Sequence, residues 1–432
     1  MKLSTQGYKG TRDFYPEDKR LQKYLFSTWR KVVESYGYEE YDGPLLESTD
    51  IYRAKSGEEL VDHQIYRFED RGGRDVTMRP EMTPSVARMV AARRQELSYP
   101  ARWYSIPNLW RYERPQHGRL REHWQLNVDV FGVETIDAEI ELISIAHDLM
   151  NAVGATDDMY TIRVNSRQLS ATIMADYLEL DGEKSHQMVK LLDRRAKMEP
   201  GDFESDAMAI MGSKDGVQKL KALVEAKSMG DLPEQVRNAP SIREIQLLFT
   251  HLRDNHITNV NFDVSLMRGF DYYTDIVFEV YDQHPDNNRS LFGGGRYDGL
   301  VELFGVEPLP TVGFGVGDVT MIDFLKAHNL TPELDSETDV YIVVVGDILR
   351  QAQGIARLLR QAGLNVALDI TGRKADKQTK SGVTKHVPYL LFVGEQELHN
   401  ERFTLRNVKT QDEVQLSLND VVKHVRKDRD AQ

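Results

Sequence analysis

The stretch Leu109–Gly132, LWRYERPQHGRLREHWQLNVDVFG, decides how this chain is read. It places Arg111, Arg114, Arg119 and Arg121 within eleven positions, with Glu113 and Glu122 among them and Gly118 near Pro115. Leu126, Val128 and Val130 then alternate with Gln125, Asn127 and Asp129. The period-two alternation predicts a strand with two unlike faces, entered through a basic loop from an earlier strand. Four guanidiniums on one hairpin repel each other unless they face an anion. Guanidinium suits phosphate because its planar fork donates two parallel hydrogen bonds. The alternative is a solvated charged hairpin.

Composition narrows the field. A chain of 432 residues with 40% hydrophobic content can form two or three domains with real cores. The absence of cysteine excludes disulfides, thiol nucleophiles and cysteine-ligated zinc. No run of 18 apolar residues occurs, so no membrane span is expected. The opening MKLSTQGYKGTRDFYPED has no apolar core of a secretory signal, which fits a cytoplasmic protein. The net charge is −13, against wholesale binding of polyanions. From Asp339 onward, however, 15 Lys/Arg face 12 Asp/Glu, a local excess of +3. That asymmetry points to contact between the C-terminal part and a polyanion.

Working outward, Leu21–Tyr36 carries apolar residues at helical spacing, with Gly37 as the stop. Tyr38–Leu46 reads as extended, and Pro44 marks an edge or interface. Met82–Gln95 is a second helix, and Thr135 is positioned to cap a third that ends before Gly154. From about Leu169 to Pro240, charged and aliphatic residues alternate with few aromatics, as in a helical insertion. Strands are expected again at Asn259–Leu266 and Ile276–Tyr281. The segment NLTPELDSET, Asn329–Thr338, has linker composition. Beyond it, strands at Val340–Val345, Asn365–Asp369 and Tyr389–Val393 alternate with helices at Leu349–Gln361 and Leu418–Val425. That order predicts a small, mostly parallel sheet.

Three further segments carry chemistry. TMRPEMT, Thr77–Thr83, holds Arg79 and Glu81 beside Pro80. MRGFDYYTDIVFE, Met267–Glu279, holds Arg268, Tyr272 and Tyr273. FGGGRYDG, Phe292–Gly299, sets three glycines before Arg296 and Tyr297, so that backbone can approach a ligand closely; the alternative is a tight turn. Gly313, Gly315 and Gly317 imitate a dinucleotide fingerprint, but Asp318 and Thr320 occupy the third glycine position from either start. No GxxxxGK[ST] loop and no HExxH cluster occur.

Together these segments resemble the class II histidyl-tRNA synthetases over nearly the whole chain. KGTRDFYPED is similar to the family's opening signature. Gly37–Glu47 resembles the first class II motif, which implies a homodimer. Arg111–Gly132 resembles the second motif. RGFDYYTDIVFE and GGGRYDG resemble the two signatures peculiar to the histidine enzymes. The implied fold is an α+β catalytic domain with an antiparallel class II synthetase sheet over residues 1–330, carrying a helical insertion at about 169–240. A C-terminal α/β anticodon-binding domain follows over 339–432.

The resemblance implies ATP-dependent activation of L-histidine to histidyl-adenylate, with Mg²⁺, and transfer to tRNA-His. Arg111 and Arg268 match the family's catalytic arginines at the α-phosphate, while Glu113 matches the adenine contact and Arg119 and Arg121 match contacts to the outer phosphates. Glu81, Thr83 and Gln125 match the positions that take the α-amino group. Asp129 and Tyr273 match those flanking the imidazole, with Tyr272 and Tyr297 in the same pocket. Two departures stand out. Bacterial relatives often carry Glu at the Asp129 position, and Thr320 occupies the place where the third class II motif has an ATP-binding arginine. A non-catalytic, histidine-sensing regulatory paralogue of ATP phosphoribosyltransferase would share the core. Such proteins typically lack the C-terminal domain and erode the arginine segment, and this chain keeps both.

Overall fold

The structure, a computed structural model, describes residues 3–54, 64–195, 198–226, 228–266, 272–287 and 289–430. The chain divides into two compact units, Met1–Thr331 and Pro332–Gln432.

The strands of the first unit are β1 (Glu39–Glu40), β2 (Leu46–Ser48), β3 (Tyr66–Glu69), β4 (Asp75–Met78), β5 (Ala101–Ser105), β6 (Asn108–Trp110), β7 (Glu122–Phe131), β8 (Tyr160–Ser166), β9 (Val260–Phe262), β10 (Ile276–Asp282), β11 (Ser290–Arg296) and β12 (Thr311–Gly317). The main sheet runs β1-β5-β7-β12-β11-β10-β8-β9, with β6 paired to β7. It is antiparallel from β5 to β8, and one parallel strand is added at each edge. A separate antiparallel sheet has the order β2-β4-β3.

β7 is the spine of this unit. Its Leu126, Val128 and Val130 are fully or almost fully buried, in one apolar cluster with Leu142, Ala146 and Leu149 of the Asp137–Ala152 helix and with Leu25 and Trp29 of the Pro16–Ser35 helix. Burying each such side chain contributes about 1.5–3 kcal/mol. The opposite face of β7 presents Gln125, Asn127 and Asp129 to the site described below. The Pro16–Ser35 helix starts five residues before the expected Leu21. Pro16 supplies a first-turn residue that needs no amide partner, and Asp18 accepts from the Tyr15 amide at 3.2 Å. It stops at Gly37, whose φ of +81° a side chain would strain. Thr135 does not cap the third helix through a backbone amide; its hydroxyl donates to Asp137 at 2.6 Å.

Between β8 and β9 the described chain forms a succession of helices from Arg167 to Asp254. Their apolar faces, among them Leu220, Leu223, Ile242 and Leu248, join the same core cluster.

The second unit holds β13 (Val340–Val344), β14 (Val366–Leu368), β15 (Tyr389–Val393), β16 (Phe403–Asn407) and β17 (Glu413–Leu416), ordered β14-β13-β15-β16-β17. The first three are parallel, as their alternation with helices requires. The β16–β17 hairpin is antiparallel and was not expected from the sequence. Phe403 and Leu405 point into the core, whereas most of β17 is exposed edge. The hairpin turn is built by Asn407, whose side-chain oxygen accepts from the amides of Lys409 (2.9 Å) and Thr410 (3.0 Å).

Candidate active site

The polar face of β7, the ends of β11 and β12, and the Arg79–Thr83 loop enclose two connected spaces. The larger is an open cleft of 740 Å³. Its wall includes Arg111, Glu113, Gly118, Arg119, His123, Glu279 and Thr320. The smaller pocket is lined by Glu81, Thr83, Asn127, Asp129, Tyr272 and Tyr297. Arg111, Gln125, Tyr273, Gly293 and Gly315 belong to both and form their junction. All seven residues expected at the histidine side therefore line one pocket.

The junction is floored by glycines. Gly293, Gly294 and Gly295 lie inside strand β11, not in a turn, and pair with Gly315, Phe314 and Gly313 of β12. A β-carbon at Gly313 would overlap the Asp129 carboxylate, and one at Gly315 would stand 2.6 Å from Gln125 Nε2. The glycines thus leave room for the two β7 side chains to lie across the neighbouring strand.

Asp129 is buried and accepts a hydrogen bond from the Tyr297 hydroxyl. Burial and the Asp129 charge hold the Tyr297 phenol well above its ordinary pKa, so it remains a donor. Tyr272 is raised for the same first reason and stands edge-on to Tyr297, with ring centres 5.6 Å apart. Tyr297 is fixed from behind. The neighbouring Arg296 is buried and grips Glu139 with two bonds of 2.7 and 2.8 Å, and it also reaches the Val133 and Thr135 carbonyls at 3.0 and 3.1 Å. The charge-assisted fork ties β11 to the Asp137–Ala152 helix.

On the cleft side, Arg111 Nε donates to the Pro80 carbonyl at 2.9 Å. The hairpin loop closes through reciprocal bonds between Gln116 and Arg119 of 3.0 and 2.9 Å. Arg119 projects from it, 3.5 Å from Glu113. Arg121 is not brought to the cleft wall. Its guanidinium sits 4.2 Å above the Tyr112 ring and donates to the Tyr8 hydroxyl at 2.9 Å and the Glu113 carbonyl at 3.1 Å. Arg268 lies outside the described residues.

Several lining residues were not singled out from the sequence. Asn127 was visible only as a member of the polar face of β7. Glu279 stands in a motif already noted, as a carboxylate on a buried strand. His123 carried no local signal. Burial, then the cations of Arg111 and Arg12, push its imidazole down to about 3.

Comparisons with known proteins converge on one family. Residues 10–319 match the family model described as Histidyl-tRNA synthetase, and residues 339–428 match the one described as Anticodon binding domain. A Histidine--tRNA ligase of Leptospira biflexa is 42% identical over 99% of this chain and 98% of its own length. One from Thermoplasma volcanium is 37% identical over 98% and 99%. The crystal structure of histidyl-tRNA synthetase from Nostoc sp. PCC 7120 superposes with a TM-score of 0.84 at 21% identity, covering 99% of this chain and all of that one. The fold is that of a class II aminoacyl-tRNA synthetase, a large antiparallel sheet followed by a separate anticodon-binding unit. The chain belongs to the histidyl-tRNA synthetase family.

Proposed function

We propose that this chain is a histidine-tRNA ligase, which activates L-histidine with ATP and transfers it to tRNA-His. One observation carries the reading. A pocket with Glu81 and Asp129 as its carboxylates, and three phenols beside them, opens directly into an arginine-walled cleft large enough for a nucleotide. Imidazole offers two ring nitrogens, and a site built to bond both rejects isosteres that would leave Asp129 or Tyr273 unpaired. Glu81 is the anion suited to the α-ammonium group, with Thr83 and Gln125 beside it. The histidine carboxylate then falls at the junction, near Arg111.

In the first step a carboxylate oxygen bonds to the α-phosphorus as the bond to the bridging α–β oxygen breaks, releasing diphosphate. In the second, a ribose hydroxyl of the tRNA attacks the acyl carbon and AMP leaves. Phosphoryl chemistry of this kind depends on positioning and charge neutralisation. Arg111 serves the α-phosphate, joined by Arg268 on the strength of the family match. Glu113 serves the adenine amino group and Arg119 the outer phosphates. Arg121 supports the loop from its aromatic platform.

Among the described residues no group of three His, Asp or Glu could hold an ion alone. Glu113 and Glu279 are carboxylates of the cleft wall. That donor set fits Mg²⁺ carried mainly by phosphate oxygens, where the ion would offset triphosphate charge.

The C-terminal unit takes the anticodon end of the tRNA. The exposed Leu45 and Leu46, next to Pro44, supply a homodimer contact. Among the described residues no helix is long and apolar enough to cross a membrane, in keeping with action in the cytoplasm. A purely regulatory, histidine-sensing role is disfavoured by the full-length C-terminal unit. ATP–diphosphate exchange with each of the twenty amino acids tests the reading. Histidine alone should support exchange, and an inert protein or another preferred amino acid would overturn it.

A further inference from the structure

Thr320 lines the cleft, but its hydroxyl is already engaged. Its single proton is shared between the carbonyls of Leu291 at 2.9 Å and Gly317 at 3.1 Å. It offers the outer phosphates neither charge nor a spare donor. The arginines in the cleft wall, among the described residues, are Arg111 and Arg119. Arg111 is fixed by Pro80. Arg119 depends on the hairpin tip, whose two turn residues are His117 and Gly118, the latter at φ +73°.

Arg289 holds that tip. Its Nη1 donates to the His117 carbonyl at 2.6 Å, and its Nη2 donates to Asp323 Oδ2 at 3.0 Å. A β-carbon on Gly118 would overlap the guanidinium, so the group packs directly against the turn. Asp323 lies on the Asp318–Ala327 helix, three residues after Thr320. Arg289 therefore braces the basic loop against the same helical turn from which the third class II motif ordinarily sends an arginine to ATP.

We propose that Arg289, oriented by Asp323, is a positioning residue for ATP. It sets the hairpin tip so that Arg119 meets the outer phosphates, and so takes over indirectly what an arginine at position 320 would do by contact. The proposal rests on the reading of the cleft as the ATP site. Arg289 acts through geometry, because Asp323 balances its charge. A guanidinium can bridge two partners in one plane, and an ammonium cannot hold both in the same way.

The test is ATP–diphosphate exchange, with thermal unfolding, on the full-length protein and on Arg289→Ala, Arg289→Lys, Gly118→Ala and the double variant Arg289→Ala/Thr320→Arg. Loss of a charge-assisted hold on the loop should raise the KM for ATP about ten-fold or more in the first three. The KM for histidine and the unfolding temperature should stay near wild type. Thr320→Arg in the Arg289→Ala background should recover most of the lost ATP affinity. An unchanged KM for ATP in Arg289→Ala overturns the proposal. So does a parallel rise in both KM values with a lowered unfolding temperature, or no recovery by Thr320→Arg. Wild-type protein inert with histidine would instead overturn the active-site reading on which the proposal stands.

Discussion

Arg12 Nη2 meets Asp318 Oδ2 at 2.7 Å, joining positions 306 residues apart. Asp318 is fully buried and also accepts from the Trp124 amide at 3.0 Å. The pair fastens the N-terminal segment to the helix that follows β12, beside the cleft. Arg12→Ala would strand a buried carboxylate. Breaking a buried pair costs about 3–5 kcal/mol, and the partial exposure of Arg12 sets the expected loss near the lower figure. Chemical denaturation at neutral pH measures it, and a loss below about 1 kcal/mol would show that the pair contributes little.

The same pair predicts a pH dependence. Burial raises the Asp318 carboxyl above its ordinary value, although Arg12 opposes the shift. A carboxyl with a raised folded pKa favours the fold when protonated, and that contribution fades as pH rises through the folded value. Removing Arg12 raises it further. The deficit of Arg12→Ala should thus be greatest at neutral pH and shrink in acid. Unfolding free energies of both proteins between about pH 4 and 8 decide the matter, and a constant gap would contradict it.

His123 should stay neutral in the folded protein throughout the physiological range, since its imidazole is pushed down to about 3. Its NMR ring signals should be flat between about pH 5 and 8. A titration near the ordinary histidine value would mean that burial, aided by the cations of Arg111 and Arg12, does not act on it as described.

Gly313→Ala should damage histidine recognition more than ATP binding. The added methyl group would displace the Asp129 carboxylate and its bond from Tyr297. Loss of one charge-assisted hydrogen bond is worth about 1.5–3 kcal/mol, or roughly ten- to a hundred-fold in the KM for histidine. Equal rises in the KM for ATP and for histidine would point to general misfolding of the sheet instead.

Removal of residues 332–432 should spare adenylate formation and abolish efficient charging of tRNA-His. Each unit has its own apolar core, so the first should fold without the second. Charging by the intact protein should also weaken with added salt, because binding RNA releases counterions. Truncated protein that charged tRNA as well as the whole chain would remove the C-terminal unit from RNA recognition.

Much of the site was legible because its residues sit in short local patterns. The alternation along β7 announced both the buried Leu126–Val128–Val130 face and the polar face that carries Gln125 and Asp129. The aromatic and glycine segments marked Tyr272, Tyr273 and Tyr297. What escaped was long-range. Arg296 and Glu139 are 157 residues apart, and nothing near either one names the other. The family resemblance matched Arg121 to an outer-phosphate contact, whereas here its guanidinium rests on Tyr112 and donates to Tyr8, a partner 113 residues away. The β16–β17 hairpin does carry period-two alternation, FTLRN and EVQL, but each run is short and its outer strand stays exposed. The first long helix starts at Pro16, ahead of the apolar periodicity, which begins only at Leu21.

The glycine floor of β11 and β12 has a pharmacological consequence. A compound lying across it would touch backbone amides and carbonyls, which no single codon change can delete. Resistance would have to come from added bulk. At Gly293 a new β-carbon would overlap the Phe278 carbonyl, and at Gly315 it would press on Gln125. The enzyme would obstruct its own chain before it excluded the compound, so escape would be driven to the side walls, where substrate contacts are also made.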